Sequence, residues 1–498
     1  MSMDVLQRFA IFLIPMLIAF FVLWLRYGVT QAILDLLAFN LCFDFDFAAL
    51  MPGNIKVSMT YLLVIALTFV LLFKAIRSGR IQVNRTALFA LSVSLLIALW
   101  IGVAFLVNRA GKWSIDSIVI YVIRVYWLHI LLILVGMVLA RRNQLKRFVA
   151  IFLAAALLVS IVSIIQTASD GQLLTHDRSD YYLGFLQPLG DKSVNRRDYT
   201  EQSVGFINAV QRIRFGSISF YRSSGTSLGS GEQLGIAAII TLYLALTKRR
   251  SKALYLSLSS LYLVGLITTF GRTQISIVFA VCFLLIIRFW KRFFSLSMLF
   301  AILIVLILAI GVTWRYFEPI STVVLANLDG FTGDRGGKEV GSLNGRTSLW
   351  LYVGSQIIKY PVFGSAEPIT FFRAGWAIAD DIDIGAHNSF LDLTYRTGVI
   401  PGLLFLWLYL LYLWRAFKFS SIKAIPTETR SVFVLLVLTG IILLVTQSMT
   451  TDLIFSPQVA ALFWIPCGYV MAYQIRRDVE PHETSTLSNP QLASTDAG

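Results

Sequence analysis

Long apolar segments alternate along the chain with short polar stretches that are rich in lysine and arginine. Each apolar segment reaches or approaches the roughly 17–25 residues that a helix needs to cross a bilayer. The segments lie at 9–25, 57–73, 87–107, 117–140, 148–166, 233–247, 253–269, 274–287, 294–313, 399–414, 431–449 and 457–475. This pattern predicts an all-α polytopic membrane protein with about 12 transmembrane helices.

The segment 31–50 does not fit this simple alternation. Asp35, Asp44 and Asp46 interrupt it, and its unbroken apolar part is too short to cross a bilayer. We therefore predict a re-entrant or interfacial segment here.

The basic connections give the chain an orientation. They hold 21 of the 42 Lys and Arg residues and a single acid, Glu428, and they occur at every second connection: 74–85, 141–147, 248–252, 288–292, 415–430 and 476–477. By the positive-inside rule these connections are cytoplasmic. Both termini are then expected in the cytoplasm, and two large polar loops face outward.

The alternation divides the chain into six parts. We predict N-terminal transmembrane helices at 1–166, an outer (periplasmic) loop at 167–231, central transmembrane helices at 232–313, a large outer loop with an amphipathic helix at 314–387, C-terminal transmembrane helices at 388–477 and a disordered cytoplasmic tail at 478–498.

Composition supports the membrane assignment and narrows the function. The chain is 57% hydrophobic and only 14% charged, whereas a soluble domain carries about a quarter charged residues. The net charge of +15 is explained by topology, because half of the basic residues lie in the cytoplasmic connections, and no nucleic-acid partner is expected. No phosphate-binding loop motif is present, so ATP and nucleotide sugars are poor candidate substrates. The three cysteines are widely separated, which predicts neither a disulfide framework nor a zinc site.

Arginines on the outer side are the first candidates for chemistry. Arg222 lies in the Ser/Gly-rich segment 221–226, where backbone N–H groups and a guanidinium can approach a phosphate. Arg272 lies in the tight outer turn 270–273. Arg346 begins the segment 346–360, whose apolar residues recur at helical spacing and predict an amphipathic helix on the outer membrane surface. On local grounds, Arg222 is equally compatible with a position at the lipid headgroups, the turn at Arg272 favours an interfacial anchor, and Arg346 is equally compatible with a solvated residue on a surface helix.

His387 and Asn388 precede a helix that enters the bilayer from the outer side. A histidine at a helix N-terminus feels the positive end of the helix dipole, which favours the neutral imidazole. A neutral imidazole is what a general base requires. A plain capping role is the alternative on local grounds.

Two other functional classes compete with this interpretation. The pairs Asp44/Asp46 and Asp381/Asp383 have DxD spacing, which a metal-dependent oligosaccharyltransferase uses to hold a divalent cation. A transporter or flippase predicts charged residues within spans; Arg124 is one of the few candidates, and no internal repeat is visible.

The order of these motifs resembles the O-antigen ligase and O-antigen polymerase superfamily of bacterial membrane glycosyltransferases. The resemblance covers about 222–402. Its most specific element is His-Asn followed by Gly398 after nine residues. The matching positions are Arg222, Arg272, Gly345, Arg346, Trp350, Pro361, Gly364, His387, Asn388 and Gly398.

The resemblance implies transfer or polymerisation of an undecaprenyl-diphosphate-linked glycan at the outer face of the bacterial inner membrane. It implies His387, Arg272 and Arg222 as catalytic residues, Arg346 and Asn388 as substrate-binding residues, inversion at the anomeric carbon, and no metal or cofactor. The expected partners are the lipid-linked donor, a glycan or lipid A-core acceptor and a chain-length regulator. The sequence leaves ligase and polymerase both open; the long outer loops favour a polymerase.

Overall fold

The computed structural model describes 3–43, 59–78, 84–109, 115–168, 211–215, 218–222, 230–248, 251–269, 272–289, 343–365, 369, 386, 388–449 and 457–474. Fifteen α-helices, one π-helical turn and one β-hairpin are formed by these residues. The helices are α1 (Met3–Tyr27), α2 (Val29–Asn40), α3 (Met59–Ser78), α4 (Arg85–Arg109), α5 (Ile115–Val122), α6 (Leu128–Arg142), α7 (Leu145–Ala168), α8 (Ser230–Thr247), α9 (Lys252–Thr268), α10 (Arg272–Arg288), α11 (Leu343–Lys359), α12 (Ser389–Thr397), α13 (Val399–Ser421), α14 (Thr427–Met449) and α15 (Pro457–Ala472).

The predicted helical membrane architecture is confirmed in its coarse form. Every predicted span coincides with an apolar helix except 294–313, which lies outside the described residues. Among the described helices, five are long and apolar enough to cross a bilayer on their own: α3, α4, α7, α13 and α14. Six further apolar helical segments are shorter. The span count of twelve therefore remains a prediction.

The segment 167–231, predicted as an outer loop, contains β structure that the sequence pattern did not indicate. Strands β1 (Gln211–Phe215) and β2 (Ile218–Arg222) pair antiparallel, with Gln211 opposite Arg222 and Phe215 opposite Ile218. All-α is therefore an incomplete description. Each strand has only five residues, and a pair this short within a polar loop gives little periodic signal.

Opposite charges define one end of the helix bundle. Lys146, in the first turn of α7, forms an exposed ion pair with Glu428, in the first turn of α14. Lys248, directly after α8, is close enough to Glu428 to act on it electrostatically. The start of α14 therefore lies beside the end of α8, and the two helices, which pack together, run in opposite directions. This basic end is the one that the sequence places in the cytoplasm.

Helices α6 and α15 form the tightest packing in the described bundle. A Cβ added at Gly136 would lie 2.6 Å from the backbone nitrogen of Tyr469, and one at Gly468 would lie 2.9 Å from the carbonyl carbon of Ile133. Only glycine permits this backbone-to-backbone approach. Small residues at a helix crossing replace the hydrophobic driving force that is lacking between helices in lipid.

The segment 31–50, predicted as re-entrant or interfacial, begins as the buried helix α2. Asp35, which interrupts the apolar pattern, is 4% exposed; it accepts hydrogen bonds from Arg147 (Nη2, 2.5 Å; Nε, 3.1 Å) and from Gln31 (2.7 Å). The Arg147 guanidinium also lies 4.0 Å from the ring centroid of Tyr27. Pairing of the carboxylate thus permits a burial that the isolated sequence does not suggest. Residues 44–50 lie outside the described part.

Helix α2 connects the two ends of the bundle. Near its start, Thr30 accepts a hydrogen bond from Lys74 in the last part of α3 (2.7 Å). Just beyond its end, Leu41 O accepts a hydrogen bond from Gln233 in the first turn of α8 (2.6 Å). The start of α2 therefore lies at the basic end, and its end lies where α8 begins.

Candidate functional site

Helices α8 and α10 begin side by side at the end of the bundle opposite the basic end. Gln274, in the first turn of α10, donates a hydrogen bond to Glu232, in the first turn of α8 (Nε2 to Oε1, 2.7 Å). Glu232 is buried, with 3% of its surface exposed. Arg272 is the first residue of α10. This contact brings the chain at Arg272 next to the start of α8.

Arg222 is the last residue of strand β2, eight residues before α8 begins. Strand β2 contacts α7, and α7 packs against α8. The hairpin is therefore attached to a helix that packs against α8. The backbone places Arg272 at the start of α10 and Arg222 on a strand that contacts α7.

Asn388 is the N-cap of α12. Its Oδ1 accepts hydrogen bonds from the backbone N–H groups of Phe390 (3.0 Å) and Leu391 (3.1 Å). A side-chain oxygen in this role satisfies N–H groups that have no partner within the helix. Its Nδ2 donates to Ser448 O at the end of α14 (2.9 Å). Both ends of the amide are thus engaged within the protein.

The next residue makes a second contact with the same helix end. Ser389 is buried, and its hydroxyl donates to Gln447 Oε1 (2.6 Å). Because α14 is antiparallel to α8, this attachment lies at the end of the bundle where α8 and α10 begin. The Asn388 region and the Arg272 region therefore share one end of the bundle.

Helix α11, which contains Arg346, packs against α12. Leu349 and Val353 are buried, and they form a small apolar cluster with Ala386 and Tyr395. The apolar face that the sequence predicts on α11 thus packs on protein. Its opposite side carries Leu351 (71% exposed) and Ile358 (82%), so a lipid-facing role for the helix stays a prediction for that side.

Backbone hydrogen bonds join the Pro-x-x-Gly motif to the end of the His-Asn-x9-Gly motif, beside the glycine of each. Val399 N donates to Pro361 O (2.8 Å), and Ser365 N donates to Tyr395 O (2.6 Å). Gly364 and Gly398 have φ of 74° and 93°, backbone values that residues with a Cβ atom rarely adopt. The two motifs therefore require glycine for one shared piece of backbone geometry.

The N-terminal half of the chain holds this motif junction in place. Trp100 Nε1, in α4, lies within hydrogen-bonding distance of Val362 O (3.3 Å) and Thr397 O (3.2 Å). Asn108 Nδ2, at the end of α4, donates to Phe363 O. The unit formed by α11, 361–365 and α12 is thus attached to a helix far away in the sequence.

Asp392 and Arg396 form a buried ion pair within α12. Arg396 Nε donates to Asp392 Oδ2 (2.7 Å), and Ala386 N donates to Asp392 Oδ1 (3.1 Å). Trp350 Nε1 donates to Ala386 O (3.0 Å). Sequence reasoning missed Asp392, Arg396 and the Glu232 contact. The i,i+4 spacing of an acid and a base directly after His-Asn was the available signal.

Of the remaining residues that the sequence singled out, some lie in the described part of the chain and others do not. His387 lies outside the described residues, as do the two DxD pairs. Arg346 lies in α11, placed by its backbone. His129, which lies within a predicted span, has its Nε2 2.7 Å from the hydroxyl of Tyr61. This buried contact gives His129 a structural role in the bundle.

The fold and the arrangement at the end opposite the basic connections define a polytopic α-helical membrane protein whose motif-bearing segments meet at one end. Residues 257–406 match the family model described as O-antigen ligase, which confirms the predicted resemblance and supports assignment to the O-antigen ligase and polymerase superfamily. The match covers somewhat under a third of the chain and includes α10, α11 and α12. No curated protein matches the chain. The family implies a glycosyltransferase-type enzyme of the inner membrane that acts on lipid-linked glycans.

Proposed function

We propose that the protein transfers or polymerises an undecaprenyl-diphosphate-linked glycan at the outer face of the bacterial inner membrane. The observation that carries the proposal is the meeting of separate motif segments at the end of the bundle opposite the basic connections. Hydrogen bonds link α8 to α10 through Glu232 and Gln274, and they link Asn388 to the end of α14.

The proposed chemistry needs positive charge and one base. Attack of an acceptor hydroxyl on the anomeric carbon breaks the bond to the diphosphate, and negative charge develops on the departing lipid diphosphate. Arg222 and Arg272 stabilise this charge, as preorganised donors do in other transferases. His387 accepts the proton of the acceptor hydroxyl. A single displacement of this kind inverts the anomeric carbon.

Arg346 and Asn388 are proposed to bind substrate near these groups. In support, α11, which contains Arg346, packs on α12, which Asn388 caps. Asn388 already caps α12 and donates to α14, so its effect on substrate includes holding the helix start. The diphosphate supplies the energy of transfer, and the proposal requires neither ATP nor a metal or other cofactor.

The test is glycan profiling of a null strain of the source bacterium, complemented with wild-type protein or with His387→Ala or Arg272→Ala. Each catalytic variant should abolish the product. Arg288→Ala is the matched control for Arg272→Ala, because Arg288 is the last residue of the same helix and lies at its opposite end. His482→Ala, in the C-terminal tail, is the control for His387→Ala. Membrane abundance is measured for every variant.

The same profiles distinguish the two proposed activities. A null strain that keeps a single repeat on the lipid acceptor and lacks long chains indicates a polymerase. A strain that lacks every repeat on that acceptor indicates a ligase. Wild-type profiles from both His387→Ala and Arg272→Ala would refute the proposed function.

A further inference from the structure

Ala386, the residue before His387, is held at both polar atoms of its backbone. Its carbonyl oxygen accepts a hydrogen bond from the Trp350 indole N–H (3.0 Å). Its N–H donates to Asp392 Oδ1 (3.1 Å). Ala386 itself is fully buried in the apolar cluster of α11 and α12. Side chains from two different helices thus converge on one alanine.

Burial of the Asp392 carboxylate has a desolvation cost. The carboxylate is 1% exposed, and its second oxygen is paired with Arg396, which is 12% exposed. A buried ion pair is often no more stabilising than apolar residues of the same size. The arrangement does provide one thing that apolar residues do not: a fixed acceptor for Ala386 N.

The residue after His387 is also held by hydrogen bonds. The Asn388 side chain makes three hydrogen bonds, two to the start of α12 and one to the end of α14. The chain is therefore anchored on both sides of His387, by Trp350 and Asp392 before it and by Asn388 after it.

We propose that Trp350 and Asp392 are positioning residues that hold the chain at His387 in register with the substrate. This inference rests on the proposed function, in which His387 is the general base. A general base acts within about 2.6–3.2 Å of the proton it removes, and a misplacement of roughly 1 Å can cost about 100-fold in rate. Loss of either anchor should therefore slow turnover and leave donor binding nearly unchanged.

Trp350→Phe tests the first anchor, because it removes the indole N–H and keeps an aromatic ring. The purified full-length protein is reconstituted in liposomes with the undecaprenyl-diphosphate-linked glycan extracted from the source strain. We expect kcat to fall about 10- to 100-fold, with KM for the donor within about twofold. Trp414→Phe is the matched control, because Trp414 is 64% exposed on α13, and it should retain wild-type kcat.

Two neutral double variants test the second anchor. Asp392→Asn with Arg396→Gln removes the ion pair and keeps an oxygen that can accept from Ala386 N. Asp392→Leu with Arg396→Met removes the ion pair and the acceptor together. If Asp392 positions the chain, the first variant should lose less than about threefold in kcat and the second at least tenfold. A purely structural ion pair would make the two variants alike.

The outcomes separate this inference from the proposed function. Wild-type kcat in Trp350→Phe, or equal kcat in the two double variants, would overturn the positioning role while His387→Ala remains inactive. Wild-type turnover by His387→Ala would instead remove the proposed function itself. If the Leu/Met variant fails to elute as a folded monodisperse species, Trp350→Phe alone decides.

Discussion

Gly398 offers the sharpest test of the motif junction. It separates α12 from α13 with φ of 93° and ψ of 173°. A Cβ at this position would lie 2.5 Å from the carbonyl carbon of Val362 and 3.0 Å from Pro361 O. Real Cβ atoms do not approach other atoms so closely, and both neighbours belong to the backbone. Gly398→Ala therefore has to move either 361–365 or the start of α13.

The expected cost can be estimated from two contributions. A residue other than glycine in this region of backbone conformation costs about 1–3 kcal/mol. Displacement of 361–365 also endangers the hydrogen bond from Val399 N to Pro361 O (2.8 Å), which contributes roughly 0.5–1.5 kcal/mol. The sum is about 2–4 kcal/mol. A cooperative unit of roughly 150–250 residues loses about 2–4 °C in Tm per kcal/mol, so we expect a fall of about 5–15 °C.

The assay is thermal unfolding in detergent, followed by size-exclusion chromatography with fluorescence detection. Gly354→Ala is the matched control: Gly354 lies inside α11, and a Cβ there would have no atom within 4 Å. Alanine favours a helix interior over glycine by about 0.5–1 kcal/mol, so this variant should melt at or above the wild-type temperature. A Gly398→Ala protein as stable as Gly354→Ala would show that the backbone at the junction has room for a methyl group, and would refute this reasoning.

Three further predictions follow from the bundle. Gly136→Leu should prevent close packing of α6 on α15 and abolish recovery of folded protein, because the added side chain meets backbone. Arg147→Ala should lower Tm by leaving the Asp35 carboxylate buried without its cation, a loss of about 3 kcal/mol; Asp35→Asn combined with Arg147→Ala should recover part of it. Because Tyr27, the last residue of α1, lies against Arg147 at the basic end, a tag at Ser2 should be labelled from the outer side of intact cells, opposite to the side expected from the charge pattern.

Each of these has a direct control. Gly102→Leu is the counterpart for Gly136→Leu, because the nearest atom to a Cβ at Gly102 is a Trp127 ring carbon at 3.6 Å, and it should fold. An Arg147→Ala protein with wild-type Tm would contradict the importance of the buried pair. A tag in the basic connection 423–425 serves as the cytoplasmic control for labelling, and a Ser2 tag that is labelled only after permeabilisation would show that α1 does not cross the membrane.

The sequence predicted the helices well, because an apolar run of bilayer length has few alternatives to a helix. It did less well where polar contacts between distant segments decide the outcome. Asp35 interrupts an apolar run and argues against burial, and only its pairing with Arg147 makes α2 a buried helix. The partner lies 112 positions away, and no local pattern reveals such a pair.

The candidate site shows the same division. Periodicity predicted the helix at Arg346, and the order of the motifs singled out Gly364 and Gly398. The reasons for those glycines depend on contacts between 361–365 and α12, which a linear motif does not display. The pairing of Glu232 with Gln274 is likewise a tertiary feature, since it joins the first turns of two separate helices.

The attachment of α4 to the motif junction limits which parts of this protein can be exchanged with those of a relative. Trp100 and Asn108 contact the backbone oxygens of Val362, Phe363 and Thr397, yet both donors lie outside the family-matching segment 257–406. A chimera that transplants that segment alone into a relative would leave these oxygens dependent on whatever the host helix presents. Exchange of specificity between relatives should therefore require that α4 be transplanted together with the segment 257–406.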